Sequence, residues 1–196
     1  MSENLSAIGR IAYPNIATAR ARDLPDGTKG EPRHSVTLVF SDEVNLAAMK
    51  AECTRVALEK YPNGLPKKFK SPFRSGEERQ GDDGSYPEGF NATDTFCEFW
   101  RYERFGKIPC VDQHRNDLLP SDIYAGMTGR VAYRAFCYDV SGNKGISLGL
   151  EGFQKAGDGP RIGAAPINPR EAFGDLEDDD VDSILADSSV EDDAAF

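Results

Sequence analysis

Residues 129–154 read GRVAYRAFCYDVSGNKGISLGLEGFQ, and their pattern decides the fold class. From Gly129 to Asp139 the side chains alternate with period two. Val131, Tyr133, Ala135 and Cys137 fall on one face; Arg130, Arg134, Phe136 and Tyr138 fall on the other. That period is the signature of a strand with one face in a core. Ser141-Gly142-Asn143-Lys144-Gly145 follows as a hairpin turn, and residues 146–154 return as the partner strand. Gly149 and Gly152 within the return strand predict a bulge or tight bend, as at the corner of a barrel.

Working outward, residues 94–105 (DTFCEFWRYERF) form a further strand rich in aromatic residues. His34 to Phe40 (HSVTLVF) reads as a buried strand, and residues 7–13 as a first strand ending at Pro14. Residues 17–33 and 75–93 are polar and rich in Gly, Pro or Asp, which predicts loops. One helix is expected at about 43–60. Ser41-Asp42-Glu43 supplies a cap and first-turn acids, Leu46, Met49, Cys53 and Val56 share a face, and Pro62-Asn63-Gly64 stops it. The expected fold is therefore mainly β: an OB-type five-stranded barrel with one main α-helix and long loops. Residues 1–163 form the barrel domain, 164–174 a linker, and 175–196 an acidic tail expected to be disordered.

Charge distribution separates body from tail. The formal net charge of −10 argues at first against nucleic acid. However, residues 175–196 hold ten of the 33 acidic residues and no basic one, leaving 23 acidic residues to balance 23 Lys and Arg in residues 1–174. The tail carries the whole imbalance. No apolar run is long enough to span a bilayer, the N-terminus lacks the pattern of a signal peptide, and Cys53, Cys97, Cys110 and Cys137 read as reduced thiols. An intracellular protein without membrane attachment is expected.

Three constellations interleave cations with aromatic rings, the combination that serves phosphates and base faces of a single strand. Lys67, Lys68, Phe69, Lys70 and Arg74 follow the helix; the competing reading is a solvated turn with Phe69 and Phe73 in the core. Trp100, Arg101, Tyr102 and Arg104 lie in the 94–105 strand, where alternation puts Phe96, Trp100, Tyr102 and Arg104 on one face; Phe96 and Trp100 are equally candidates for the core. Arg130, Arg134, Phe136 and Tyr138 make the outward face of the 129–139 strand, extended by Lys144. In the tail, Asp178, Asp179, Asp180, Asp182, Glu191, Asp192, Asp193 and Phe196 form a partner-binding candidate. A terminal aromatic beside an α-carboxylate suits an apolar pocket with a basic rim. A flexible chain of the tail's length spans about 26 Å, enough to fold back over the body's binding face.

Catalytic patterns are weak. There is no P-loop, HExxH, GxSxG or paired CxxC, and no cofactor, metal or catalytic residue is assigned. Asp112, His114, Asp117 and Asp122 leave open a metal-dependent nuclease, against the reading of a solvated loop. His34, inside a strand, reads as structural. A third alternative is an interaction module whose acidic tail mimics DNA.

Gly9 to Pro14, Ser35 to Leu38, Ile108 to Asp112, Asp122 to Met127, and Gly142 to Leu150 with Gln154-Lys155 together resemble a family of single-stranded DNA-binding proteins of tailed phages, over most of residues 8–163. The resemblance implies an OB fold and sequence-independent binding of single-stranded DNA. It further implies a role in phage replication, recombination and repair, in the cytoplasm of the infected bacterial host. It also implies that the acidic tail recruits a polymerase, helicase or primase. A homodimer is left open.

Overall fold

The computed structural model describes residues 4–24, 27–140 and 142–163. The expected linker and acidic tail, 164–196, lie outside the described residues. Among the described residues, eight strands and one α-helix follow in chain order: β1 Asn4–Leu5, β2 Gly9–Arg20, β3 Arg33–Phe40, α1 Ala47–Lys60, β4 Arg74–Ser75, β5 Thr95–Tyr102, β6 Cys110–Val111, β7 Thr128–Val140 and β8 Asn143–Gly157.

Five of these strands close a ring. β2 pairs antiparallel with β3, β3 antiparallel with β5, β5 parallel with β8, and β8 antiparallel with β7. β7 then returns to β2 through Gly9 opposite Gly129 and Arg10 opposite Thr128. This is the expected five-stranded OB-type barrel, with one parallel pair where the chain crosses over. The seam needs its two glycines. A Cβ on Gly9 would stand 2.9 Å from the Phe40 ring, and one on Gly129 would stand 2.7 Å from the Gln154 carbonyl oxygen.

Alternation fills the barrel as the sequence dictates. Val131, Tyr133 and Ala135 from β7 point inward with Leu148, Leu150 and Phe153 from β8, Cys97 and Phe99 from β5, and Val36, Leu38 and Phe40 from β3. Fully burying each large apolar side chain contributes roughly 1.5–3 kcal/mol. His34 is also buried, its ring Nδ1 2.7 Å from the Ile16 carbonyl oxygen, which bears out a structural role. A second, smaller cluster sits on the outer side of the wall. Ala12, Val39 and Phe96 are covered there by Phe90 from the long loop before β5. Phe96 is thus core, though on the side of β5 that faces away from the barrel interior.

Helix α1 presents Met49, Cys53 and Ala57 to the core, with Leu46 buried just before it. Its stripe matches expectation, but its start does not. Ser41-Asp42-Glu43 forms a turn, with the Val44 N–H donating to the Ser41 carbonyl, and the first turn holds no acid. The helix begins four residues later than about 43, where the Asn45 side-chain oxygen accepts the Ala47 N–H at 2.9 Å.

Other boundaries also moved, each for a backbone reason. The first strand does not stop at Pro14. β2 absorbs Tyr13 (φ 49°) and Pro14 in a bulge, the register passing from Ala12–Thr37 to Asn15–Ser35, and continues to Arg20. A bulge needs no ladder N–H from proline, so Pro14 bends the strand without ending it. The loop expected at 17–33 accordingly shrinks to 21–32. The 94–105 strand ends at Tyr102, and Glu103–Phe105 forms a 3₁₀ turn, so Arg104 is not on the strand face. The hairpin is tighter than expected. Val140 pairs with Asn143, which puts Lys144 and Gly145 inside β8. The bend signalled by Gly149 and Gly152 is present: Ala132 pairs with Gly152 and Tyr133 with Leu150, leaving Glu151 as the extra residue of a bulge.

Candidate nucleic-acid interface

The outer faces of β5, β8 and β7 adjoin, and period-two alternation sets what they display. β5 offers Glu98, Trp100 and Tyr102; β7 offers Arg134, Phe136 and Tyr138. Between them β8 offers the small residues Ser147 and Gly149. Gly149 is the register partner of both Trp100 and Arg134, so no side chain fills the floor between the aromatic residues of the flanking strands. The Trp100 ring stands edge-on to Tyr102 at 5.0 Å and to Phe136 at 6.1 Å. Its Nε1–H donates to the Ser147 hydroxyl at 2.8 Å, which fixes the orientation of the indole.

Two clefts meet at Trp100. One, of about 460 Å³, lies between Trp100, Tyr102, Phe105 and Phe136, with Arg101, Arg104 and Arg134 around it. The other, of about 600 Å³, runs from Trp100 and Tyr138 to Phe73, with Lys70 and Arg74 on its wall. Together they form a groove along the barrel that is lined by aromatic rings and edged by cations. Such a surface can stack bases and hold phosphates. The 67–74 segment reaches it through β8: the Lys70 N–H donates to the Lys144 carbonyl, and the Ile146 N–H to the Lys70 carbonyl.

Most of the sequence-selected residues converge here. Lys70, Arg74, Trp100, Arg101, Tyr102, Arg104, Arg134, Phe136 and Tyr138 all line the groove. Lys144 stands at the hairpin beside it, 3.1 Å from Asp139, and that hydrogen-bonded carboxylate holds its ammonium pKa above the usual lysine range. Four residues serve elsewhere. Lys67 and Lys68 are exposed in the turn after α1, and Phe69 packs at the core edge against Tyr61. Arg130 lies outside both clefts. Its guanidinium donates twice to Gln154 Oε1, at 3.0 and 2.8 Å, and Gln154 in turn binds the Asp112 carbonyl. The tail candidates Asp178, Asp179, Asp180, Asp182, Glu191, Asp192, Asp193 and Phe196 lie outside the described residues.

A third cleft, of about 190 Å³, continues the face over β2 and β3. Tyr13, Arg20, Arg22, Arg33 and Arg79 line it, and Glu98 borders both this cleft and the Phe73 one. None of these five residues stood out in the sequence. Arg79 lies 4.7 Å over Phe96 and 5.5 Å over Phe90, and Arg33 lies 5.2 Å over Trp100. The doublet Arg20 and Arg22 was the available signal, hidden by the assignment of 17–33 to a loop.

The cations of the face are matched by acids. Glu98 pairs with both Arg22 and Arg33, Glu151 with Arg101 and Arg134, Glu31 with Arg104, and Glu78 with Arg74. By contrast, the acidic loop near Asp112 serves its own backbone. Asp112 accepts from the backbone N–H groups of His114 and Asn116 and from the Asn116 side chain, and these bonds hold its pKa below the usual carboxylate range. Asp122 accepts the Leu119 N–H. Among the described residues, no group of three or more His, Cys, Asp or Glu is arranged to hold a metal ion. Burial pushes the Cys53 thiol up to about 12 and Cys110 up to about 11, leaving both poor nucleophiles.

Comparison with known proteins agrees with this architecture. No curated protein sequence matches the chain significantly. Among solved structures, the single-stranded DNA-binding protein of bacteriophage Enc34 superposes with a TM-score of 0.58 at 18% identity, over 86% of this chain and 88% of that one. The same Enc34 protein in complex with single-stranded DNA gives 0.59 at 19% identity, over 81% and 87%. The gp2.5 single-stranded DNA-binding protein of bacteriophage T7 gives 0.58 at 16% identity, over 90% and 99%. These likenesses establish the fold. A family model described as the Enterobacter phage Enc34 ssDNA-binding protein matches residues 5–184, nearly the whole sequence. The chain therefore belongs to the Enc34 phage single-stranded DNA-binding protein family.

Proposed function

We propose that this protein binds single-stranded DNA without sequence preference, acting in phage DNA replication, recombination and repair inside the infected bacterial cell. The observation that carries the reading is the groove around Trp100, where Tyr102, Phe136 and Tyr138 add stacking surfaces and Arg104, Arg134, Lys70 and Arg74 add cations. Every base has a π-face, so stacking is tolerant of sequence, and the cations follow a backbone common to all sequences. Between Trp100 and Arg134 the floor is Gly149, which has no side chain to read a base edge. In support, the Enc34 relative was solved with single-stranded DNA. The protein acts by binding, without catalysis of its own; the Asp112 loop spends its carboxylates on turn hydrogen bonds, which disfavours the nuclease reading.

The acidic tail completes the reading. Ten acids and no base in residues 175–196 make a polyanion tethered to a body of balanced charge. It competes with DNA for the groove and, once displaced, recruits replication proteins such as a polymerase, helicase or primase through Phe196 and its acidic neighbours.

The test is a titration of fluorescent oligonucleotides of differing sequence across a range of salt. Affinities are expected to vary little with sequence and to fall with salt, each phosphate contact adding about 0.7 to the log–log slope. An affinity flat in salt, or confined to one sequence, would refute the proposal.

A further inference from the structure

We infer that the outer face carries two phosphate seats, one on either side of Trp100, each filled in the free protein by one of its own carboxylates. Glu98 fills the seat formed by Arg22 and Arg33, and Glu151 fills the seat formed by Arg101 and Arg134. The inference rests on the single-strand-binding reading above and deepens it.

The two arrangements are alike. In each, one carboxylate is held by guanidinium groups from two different elements. Arg22 follows β2, Arg33 opens β3, and Glu98 lies on β5. Arg101 lies on β5, Arg134 on β7, and Glu151 is the bulged residue of β8. The Glu151 oxygens stand 3.4 Å from Arg101 Nη1 and 3.4 Å from Arg134 Nη2. These are not neighbours along one helix, where ion pairs arise from local spacing. They are brought together by the closed barrel.

The seats flank Trp100 in the sheet. Glu98 is two residues before it on the same strand face, and Glu151 is two residues beyond Gly149, the partner of Trp100 on β8. Arg33 also stacks at 5.2 Å on the indole while it binds Glu98. A base on Trp100 would thus have a paired-arginine site to either side for its 5′ and 3′ phosphates.

Guanidinium forks fit carboxylate and phosphate oxygens with the same planar geometry, so a site built for one accepts the other. The side chains of Glu98 and Glu151 remain 35% and 28% exposed. Partly exposed pairs of this kind are weak and screened by salt. A resident carboxylate therefore holds the arginines in place and yields to a phosphodiester, swinging into water as the strand arrives. An acid in the middle of a nucleic-acid face would otherwise only repel its ligand.

The experiment measures binding of a fluorescent oligo-dT by the full chain and by Glu98→Gln, Glu151→Gln and, as a control on the turn before α1, Glu43→Gln. Each seat variant is expected to bind about three- to tenfold tighter, the gain of removing one weakly held competitor. Its log–log salt slope should steepen by up to about 0.7, because no carboxylate then recaptures a cation. Glu43→Gln is expected to change affinity less than twofold. Unchanged or weaker binding by the seat variants would overturn the inference, as would equal tightening by Glu43→Gln, which would mark a long-range charge effect. A second variant, Arg134→Lys, keeps the charge and removes the fork; it is expected to weaken binding about fivefold, and unchanged binding would also overturn the seats. If wild type and all variants fail to bind, it is the single-strand reading itself that fails.

Discussion

Trp100 borders both halves of the groove, and among the described residues no other aromatic one does. Its indole is held by the Ser147 hydroxyl, by Tyr102 and Phe136 at its edges, and by Arg33 over its ring. Base stacking on an aromatic contributes about 1–3 kcal/mol. Trp100→Ala is therefore expected to weaken oligonucleotide binding by about five- to 150-fold with little change in thermal stability, whereas Trp100→Phe should retain most of the affinity. Phe96, on the same strand face, should behave in the opposite way. It is 1% exposed beneath Phe90 and Arg79, so Phe96→Ala should cost about 3–5 kcal/mol of stability through the cavity it leaves. Parallel thermal melts and titrations of the two variants test this division. Similar stability losses in both would make Trp100 a core residue, the alternative that strand alternation alone could not decide.

At the scale of elements, the strand that organises the groove is the one that contributes least side chain to it. β8 runs between β5 and β7, and its Gly149 leaves the floor low. A Cβ there would meet the Arg134 carbonyl at 3.4 Å and the Phe136 ring at 3.6 Å, so Gly149→Ala fits and should keep the melting temperature at or above wild type. Gly149→Leu should fill the floor and cut affinity at least tenfold while the far-UV spectrum stays unchanged. Equal affinity for the leucine variant would move the strand's path off this floor. The β7–β8 hairpin was legible in the sequence because period-two alternation on both arms leaves few alternative registers. The ends of β2 and α1 were not. Pro14 is a stop signal except within a bulge, and Ser41-Asp42-Glu43 has the composition of a cap although the chain is still turning there. The aromatic face of β5 and β7 was likewise readable, since each strand carries its own alternation. The ion pairs were not, because Arg22 and Glu98, or Arg101 and Glu151, meet only when distant strands close the ring.

At the scale of the whole molecule, charge is divided between a balanced body and a tail holding all of the excess. Within the body the balance is local. Arg22, Arg33, Arg74, Arg101, Arg104 and Arg134 each face a carboxylate, so the groove presents arginines already in place but partly neutralised. On the proposed reading, DNA displaces two kinds of anion: the fixed glutamates of the face and the tethered acids of residues 175–196. A tethered competitor acts at an effective concentration of roughly millimolar, and its effect weakens as salt screens it. Removing residues 175–196 is therefore expected to tighten oligonucleotide binding several-fold at low salt, the two forms converging as salt rises. Stimulation of the phage's replication enzymes should be lost in the same variant. Restoring a tail of equal length with its ten acids changed to Asn and Gln should leave binding as tight as in the truncated form. If the neutral tail instead weakened binding as the native one does, its effect would be bulk rather than charge. If truncation left affinity unchanged at every salt concentration, the glutamates of the face would be the only anions that DNA displaces.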